Sequence, residues 1–451
     1  MEYPGAKFTH PLRFAMLLLF IAAFFVISPT VILYSAGYRY DFKNGLLRET
    51  GSLSVDILPT NANVTLDGLA LTESMPIRLN NLTPHKYSFE ISAPGYYSWK
   101  KEIEINKNQT TYIKEMIILK KGKSELLNKG FFPVISVSPS GRYVAYLEQQ
   151  KTTNNTLCYI RDLTTNITTL AVRLPTLSPL KLIWNKKTDF VVLSSTVVPY
   201  TTFEIIDAQH PETHQNIVNI NPEPITKFMW RNATEPELYY GTKTSINSYL
   251  PNSELSRQIS KITFLNWYNE NGTVWALTYN TSTNRLIIAT DILGFTKTFA
   301  SFTNPIDATS SSLTGWELLA VQGSSVLVRN NEQGQFLIVR DDKQYAITAD
   351  TFNISPYNNW WLLTNQWELW TYSDGGEPSL LSRLDSKLMT VVPLDEYNTL
   401  ALSTEKDVTA LYPYYYIEQT LITKPVITMA AVIPTRTLYY SNEEGLWRIN
   451  Y

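Results

Sequence analysis

Side chains able to do acid–base, nucleophilic or metal chemistry are few here, and their spacing offers little. His210-Pro-Glu-Thr-His214 sets two histidines four apart, the interval that on a helix presents both rings to one metal ion. Pro211 follows the first of them in a polar stretch. Proline drives the residue before it out of helical geometry, so the segment reads as a solvated loop. Asp341-Asp342, Asp395-Glu396 and Glu443-Glu444 are carboxylate pairs in turn-like surroundings. Glycoside hydrolysis needs two carboxylates facing each other at about 5–10 Å, which adjacency in the chain does not supply. Gly-x-Ser-x-Gly, His-Glu-x-x-His, phosphate-binding glycine loops and EF-hand loops are all missing. Cys158 is the one cysteine, which excludes an intrachain disulfide and a cysteine-based zinc site. No catalytic residue, cofactor or metal is expected.

Aromatic residues are the more informative set. Trp360, Trp361, Trp367, Trp370 and Tyr372 fall close together, and Tyr412, Tyr414, Tyr415 and Tyr416 follow some 40 residues later. Aromatic faces stack on sugars and clasp proline-rich peptides. Large rings also fill wedge-shaped cores, which is their commoner role. Neighbours on a strand point to opposite faces, so one of Trp360 and Trp361, and at least one of Tyr414–Tyr416, is expected at the surface. Trp360, Trp361, Trp367, Trp370, Tyr414, Tyr415 and Tyr416 are therefore the candidate binding residues.

The composition limits what carries them. The chain has 451 residues and a formal charge of −2, against a nucleic-acid binder. Charged residues are 17%, aromatics 13% and hydrophobics 44%, enough apolar material for large cores and too much for wholesale disorder. Between Arg13 and Arg39 no formal charge occurs. The apolar run is long enough to cross a bilayer even with Pro29 in its outer third. A cleaved signal peptide has a shorter apolar core, of about 7–15 residues, and Ser35-Ala36-Gly37 makes a poor cleavage site. We expect an uncleaved anchor over 14–36, a cytoplasmic tail over 1–13 and a linker over 37–50. Flanking positive charges give almost no vote on orientation. The Asn/Thr/Ser-rich, cysteine-poor bulk is typical of bacterial exported β proteins, which places it outside the membrane.

From Gly51 the apolar period becomes two. Leu53, Val55 and Ile57 alternate with Ser52, Ser54 and Asp56, and Val64 and Leu66 run into Asp67-Gly68, a hairpin signal. Tyr87, Phe89 and Ile91 stop at Pro94-Gly95, Trp99, Ile103 and Ile105 follow, and Thr111–Leu119 closes the series. Five or six short strands in about 70 residues predict a small β-sandwich over 51–120. The stretch Gly51 to Gly68, with Pro59 and Ala62, Met75-Pro76, Leu79, Leu82 and Pro94-Gly95-Tyr96, resembles a PEGA domain. Thr60 and Asn61 stand where that family's tetrad has Glu-Gly. The resemblance implies an extracytoplasmic module without catalytic residues.

After a linker over 121–130, one unit recurs through 131–451: a β run, a turn rich in Ser, Pro, Asn, Asp and Gly, then further apolar β runs. Ser138, Trp184, Trp230, Trp267, Trp316, Ser355, Pro393 and Pro434 are separated by 46, 46, 37, 49, 39, 38 and 41 residues. That is close to the period of a four-stranded propeller blade, about 40–45 residues. The eighth copy shows only three strands, and a strand from upstream, around Leu126–Phe132, would complete it. Ser138-Pro-Ser-Gly-Arg142 before an apolar strand resembles the blade signature of TolB-like and WD40-like propellers, with Ser140 in place of the usual Asp. It implies a fold and no particular activity.

The expected whole is all-β: an anchor, a PEGA-like sandwich and a propeller of eight blades, or seven if two copies share one. The function expected is that of a membrane-anchored binding or scaffold protein of the bacterial envelope. Its partner would be an unknown envelope protein or a glycan, met at the propeller's end or central channel. A propeller enzyme acting on polysaccharide and a structural surface-layer component are the alternatives.

Overall fold

The computed structural model of the chain describes residues 10–41, 45–175, 178–195, 202–217, 223–231, 233–260, 264, 266–270, 272–280, 282–283, 285–292, 295–303, 315–341, 343–357 and 359–451. Lys43, Asn232, Asn271, Thr314, Asp342 and most of the expected N-terminal tail lie outside the described residues. Contacts divide the chain into two units, residues 1–121 and 122–451.

In the first unit one helix, His10–Ser35, carries the apolar run with Pro29 inside it. Its length and composition allow it to cross a membrane, and a signal sequence has the same character. The Thr30 hydroxyl donates to the Val26 carbonyl at 2.8 Å, one of the side-chain contacts by which a proline-bearing turn stays satisfied. Residues 37–50, expected as a linker, include a strand pair: Tyr38–Asp41 pairs antiparallel with Leu46–Glu49, Tyr40 facing Leu47.

The sandwich has two sheets. Gly51–Leu58 lies between Ile77–Leu82, antiparallel, and Thr110–Ile117, parallel. The other sheet is ordered Leu69–Ala70, Asn63–Leu66, Lys86–Ser92, Trp99–Glu104. The alternation read in the sequence is the burial pattern: Leu53, Val55 and Ile57 are buried, as are Phe89 and Trp99 of the other sheet, whose rings meet edge-on at 5.7 Å. The Asp67-Gly68 turn has both residues at positive φ, as a two-residue hairpin requires, and the Asp67 carboxylate accepts the Ser88 N–H at 2.7 Å.

The described residues of the second unit form a succession of eight four-stranded antiparallel sheets. Seven are built from consecutive strands, beginning with Val134–Val137, Leu180–Trp184, Lys227–Arg231, Asn266–Glu270, Trp316–Gln322, Thr351–Ile354 and Leu388–Pro393. The eighth joins the two ends of the unit: Thr428–Val432, Thr437–Asn442 and Gly445–Asn450 are completed by Glu125–Asn128. The segment 121–130 is thus part linker and part strand. Arg448 and Glu125 cross this junction at 2.8 Å. Buried clusters bridge one sheet to the next. Tyr143, Cys158, Val191 and Ile206 join the first and second, Trp316, Phe336, Trp361 and Tyr372 run through the fourth to sixth, and Phe132, Tyr146, Val432 and Tyr439 join the eighth to the first.

Candidate functional site

In four of the sheets, the first, second, sixth and seventh, the turn from the opening strand into the second is built alike. Ser138 N–H donates to Tyr143 O, Asn185 N–H to Phe190 O, Ser355 N–H to Trp360 O and Leu394 N–H to Thr399 O, each spanning five residues. A short polar side chain fixes the loop from inside. Asn185 Oδ1 accepts the N–H groups of Lys187 at 2.8 Å and Thr188 at 3.2 Å. Asp395 Oδ1 accepts those of Tyr397 and Thr399, both at 2.9 Å, and Asn269 Oδ1 accepts Gly272 N–H at 3.1 Å. Ser138, Asn185, Asn269, Ser355 and Asp395 are all buried. They also tie neighbouring sheets: Asn269 Nδ2 donates to Trp230 O at 3.4 Å, and the Ser355 hydroxyl to Asn398 Oδ1 at 3.1 Å.

These first turns converge. Ser138, Lys187, Glu270, Tyr357 and Pro434, from the first, second, fourth, sixth and eighth sheets, line one cavity of ≈ 660 Å³. A second cavity of ≈ 270 Å³ includes Lys186, Lys227, Glu270 and Glu317. Lys227 Nζ donates to Asn266 Oδ1 at 2.8 Å and Leu318 O at 2.9 Å, with Glu317 at 3.8 Å. Burial pulls its ammonium down to about 8, against the opposing pull of Glu317. Burial likewise raises the Asp395 carboxyl above the usual carboxylate range.

The seven aromatic candidates part company. Trp360, Tyr414 and Tyr416 come together with Pro413, Glu377 and Thr371 around a cleft of ≈ 280 Å³ between the sixth and seventh sheets. The Trp360 and Tyr414 rings meet edge-on at 5.9 Å, and Tyr414 and Tyr416 are 53% and 70% exposed. Tyr415 sits half-buried between them, its N–H on Tyr412 O at 3.1 Å. Trp361 corrects the expectation attached to it: at 1% exposure it is core, packed against Tyr372 at 5.0 Å, because the strand it opens, Trp361–Thr364, is buried along its whole length. Trp370 is half-buried, its indole N–H on Glu368 at 3.1 Å. Trp367 is exposed, but in the turn between the second and third strands of the sixth sheet, at the opposite end of that sheet from Trp360.

His210 and His214 do not converge. His210 Nδ1 lies 3.1 Å from Asp207 and His214 Nε2 3.9 Å from Glu204, and among the described residues no group of His, Cys, Asp and Glu is arranged to hold a metal ion. Arg142 and Asp162 pair through two contacts at 2.8 and 3.3 Å, which holds the Asp162 carboxyl down to about 2. Cys158 is buried, and burial pushes its thiol up to about 12, out of reach of nucleophilic chemistry.

The sequence reading picks out Asp395 only as half of a carboxylate pair at a turn, and does not pick out the inner turn residues Asn185 and Asn269. The available signal was positional: each follows the last apolar residue of its opening strand, the place Ser138 and Ser355 occupy in their own copies.

Residues 50–117 match the PEGA domain family. No curated protein matches the chain. A solved structure of S. cerevisiae Dbp5 bound to Nup159, Gle1, IP6 and ADP contains a chain similar to this one at 12% identity, over 73% of this chain and 93% of that one, with a TM-score of 0.36. So low a score carries no argument about fold or function.

Proposed function

We propose that this is a membrane-anchored binding protein of a bacterial cell envelope, in which the helix holds a PEGA module and a closed eight-bladed propeller outside the cytoplasm. The observation that carries the propeller is the ≈ 660 Å³ cavity whose lining comes from five sheets far apart in the chain. Turns from the first, fourth and sixth sheets meet in one place when the sheets are arranged about an axis. Completion of the last sheet by Glu125–Asn128 removes the open edges that such an array otherwise exposes. PEGA domains are typically extracellular, which favours export of the bulk.

The binding face in this reading is the Trp360–Tyr414–Tyr416 cleft. Exposed rings beside the Glu377 carboxylate and the Thr371 and Ser379 hydroxyls suit a glycan, which presents apolar faces and hydroxyl edges together. Binding is favoured over cleavage because the large cavity has one carboxylate, Glu270, among its described lining residues, while glycoside hydrolysis uses two. The test is binding of envelope polysaccharides by the purified full chain. We expect Tyr414→Ala with Tyr416→Ala to abolish retention and Trp367→Ala to leave it unchanged. Equal retention by all three proteins, or capture of a protein and no glycan, would overturn the assignment.

A further inference from the structure

A polar cleft of ≈ 540 Å³ lies where the apolar helix gives way to the sandwich. Tyr34, in the last helical turn, is one of its walls, so its mouth is within a turn of the end of the apolar run. Among the described residues the rest of the lining is amide, hydroxyl and backbone, including Asn80, Asn81, Asn108 and Gln109, with Arg39 as its charged group and no carboxylate. Arg39 is held in place: its Nη1 donates to Tyr34 O at 2.7 Å and Tyr38 O at 2.9 Å, and its guanidinium lies 3.6 Å from the Tyr34 ring centre. Beside the cleft the Tyr38–Asp41 and Leu46–Glu49 hairpin exposes Tyr40, Leu46 and Leu47 at 53%, 59% and 52%. Tyrosine and leucine on a short element next to a span belong in the membrane interface.

We infer that this cleft binds the phosphate headgroup of an anionic phospholipid. A phosphate diester carries one negative charge and several acceptor oxygens, which a guanidinium beside neutral amides and hydroxyls matches, while the described lining offers no carboxylate to the ammonium that a zwitterionic headgroup adds. The cleft's position at the end of the helix brings a headgroup to it without the lipid leaving the bilayer. The inference rests on the anchored reading of the helix.

The experiment uses the full chain in nanodiscs of phosphatidylcholine with or without phosphatidylglycerol, with retained lipid read by native mass spectrometry. The variant Asn80→Asp/Gln109→Glu adds two carboxylates at exposed positions of the wall, so folding is not at issue and circular dichroism verifies it. We expect wild type to retain phosphatidylglycerol selectively and the variant to lose that selectivity by roughly tenfold or more, the scale of a hydrogen bond to a charged group. Equal retention of the two lipids by wild type, or an unchanged variant, would overturn the site. Displacement of the lipid by soluble glycerol phosphate at matched concentration would overturn a membrane source for the ligand. Release of the protein from membranes by alkaline carbonate would instead sink the anchored reading.

Discussion

Trp360 and Trp361 are adjacent in the chain and face opposite ways. One borders an open cleft and the other fills the space between sheets. Their roles separate by substitution. Trp361→Ala leaves an indole-sized hole in packed core and is expected to cost about 3–5 kcal/mol, whereas Tyr416→Ala, at a solvent-facing turn, should stay within about 0.5 kcal/mol. Urea unfolding of the two variants measures both. Lys227 makes a pH-dependent prediction. Below about pH 8 the folded and unfolded chains both hold its proton, and the folded state bears the full desolvation cost. Between about 8 and the ordinary lysine value near 10.5 the folded chain has released the proton while the unfolded chain keeps it, so stability rises with pH. Tyr146, Tyr268 and Tyr451, raised by burial, act in the other direction above about pH 10. The urea midpoint of wild type should therefore gain on that of Lys227→Met from pH 7 to 10. Parallel curves would contradict the assignment.

Among the elements, what was legible followed from period and burial. Inner strands such as Tyr143–Gln150, buried over its first five residues, and Phe190–Ser195, buried over its last five, carry apolar runs that mark each copy. Outer strands escaped notice: Leu255–Ser260 exposes four of its six residues, and a strand paired on one side with water on the other needs no apolar pattern. The hairpin after the helix was missed for a related reason, since Tyr40, Leu46 and Leu47 pack into no core. The aromatic cleft was only half legible, because the pairing that brings Tyr414 to Trp360 spans two sheets. The junction strand offers a sharp test. A Cβ built on Gly445 falls 2.1 Å from Asn128 O, with φ at +154°, so Gly445→Ala must push Glu125–Asn128 away. We expect a loss of about 3 kcal/mol, seen as a lower thermal midpoint, while Gly334→Ala, where a Cβ meets nothing within 4 Å, loses only the smaller cost of its positive φ.

For the whole molecule, the two units have separate cores: Phe89 and Trp99 belong to one, and the inter-sheet clusters to the other. Domains of this kind are usually joined by short exposed segments. Lys121, Lys123 and Ser124 are exposed and precede the junction strand. Limited trypsin digestion should cut there first and release a C-terminal fragment that retains the tryptophan fluorescence of the folded chain. Cleavage spread through the eight sheets instead would mean that they do not form one cooperative body.

Arg448 and Glu125 meet although they stand 323 positions apart in the chain. A ribosome works from one end, so Glu125–Asn128 is made early and waits unpaired through the synthesis of seven complete sheets. A strand made some three hundred residues later, Gly445–Asn450, supplies the neighbour it needs. A product that stops short of Gly445 would therefore leave an early strand without a mate and the eighth sheet unfinished, and would be a substrate for quality-control proteases.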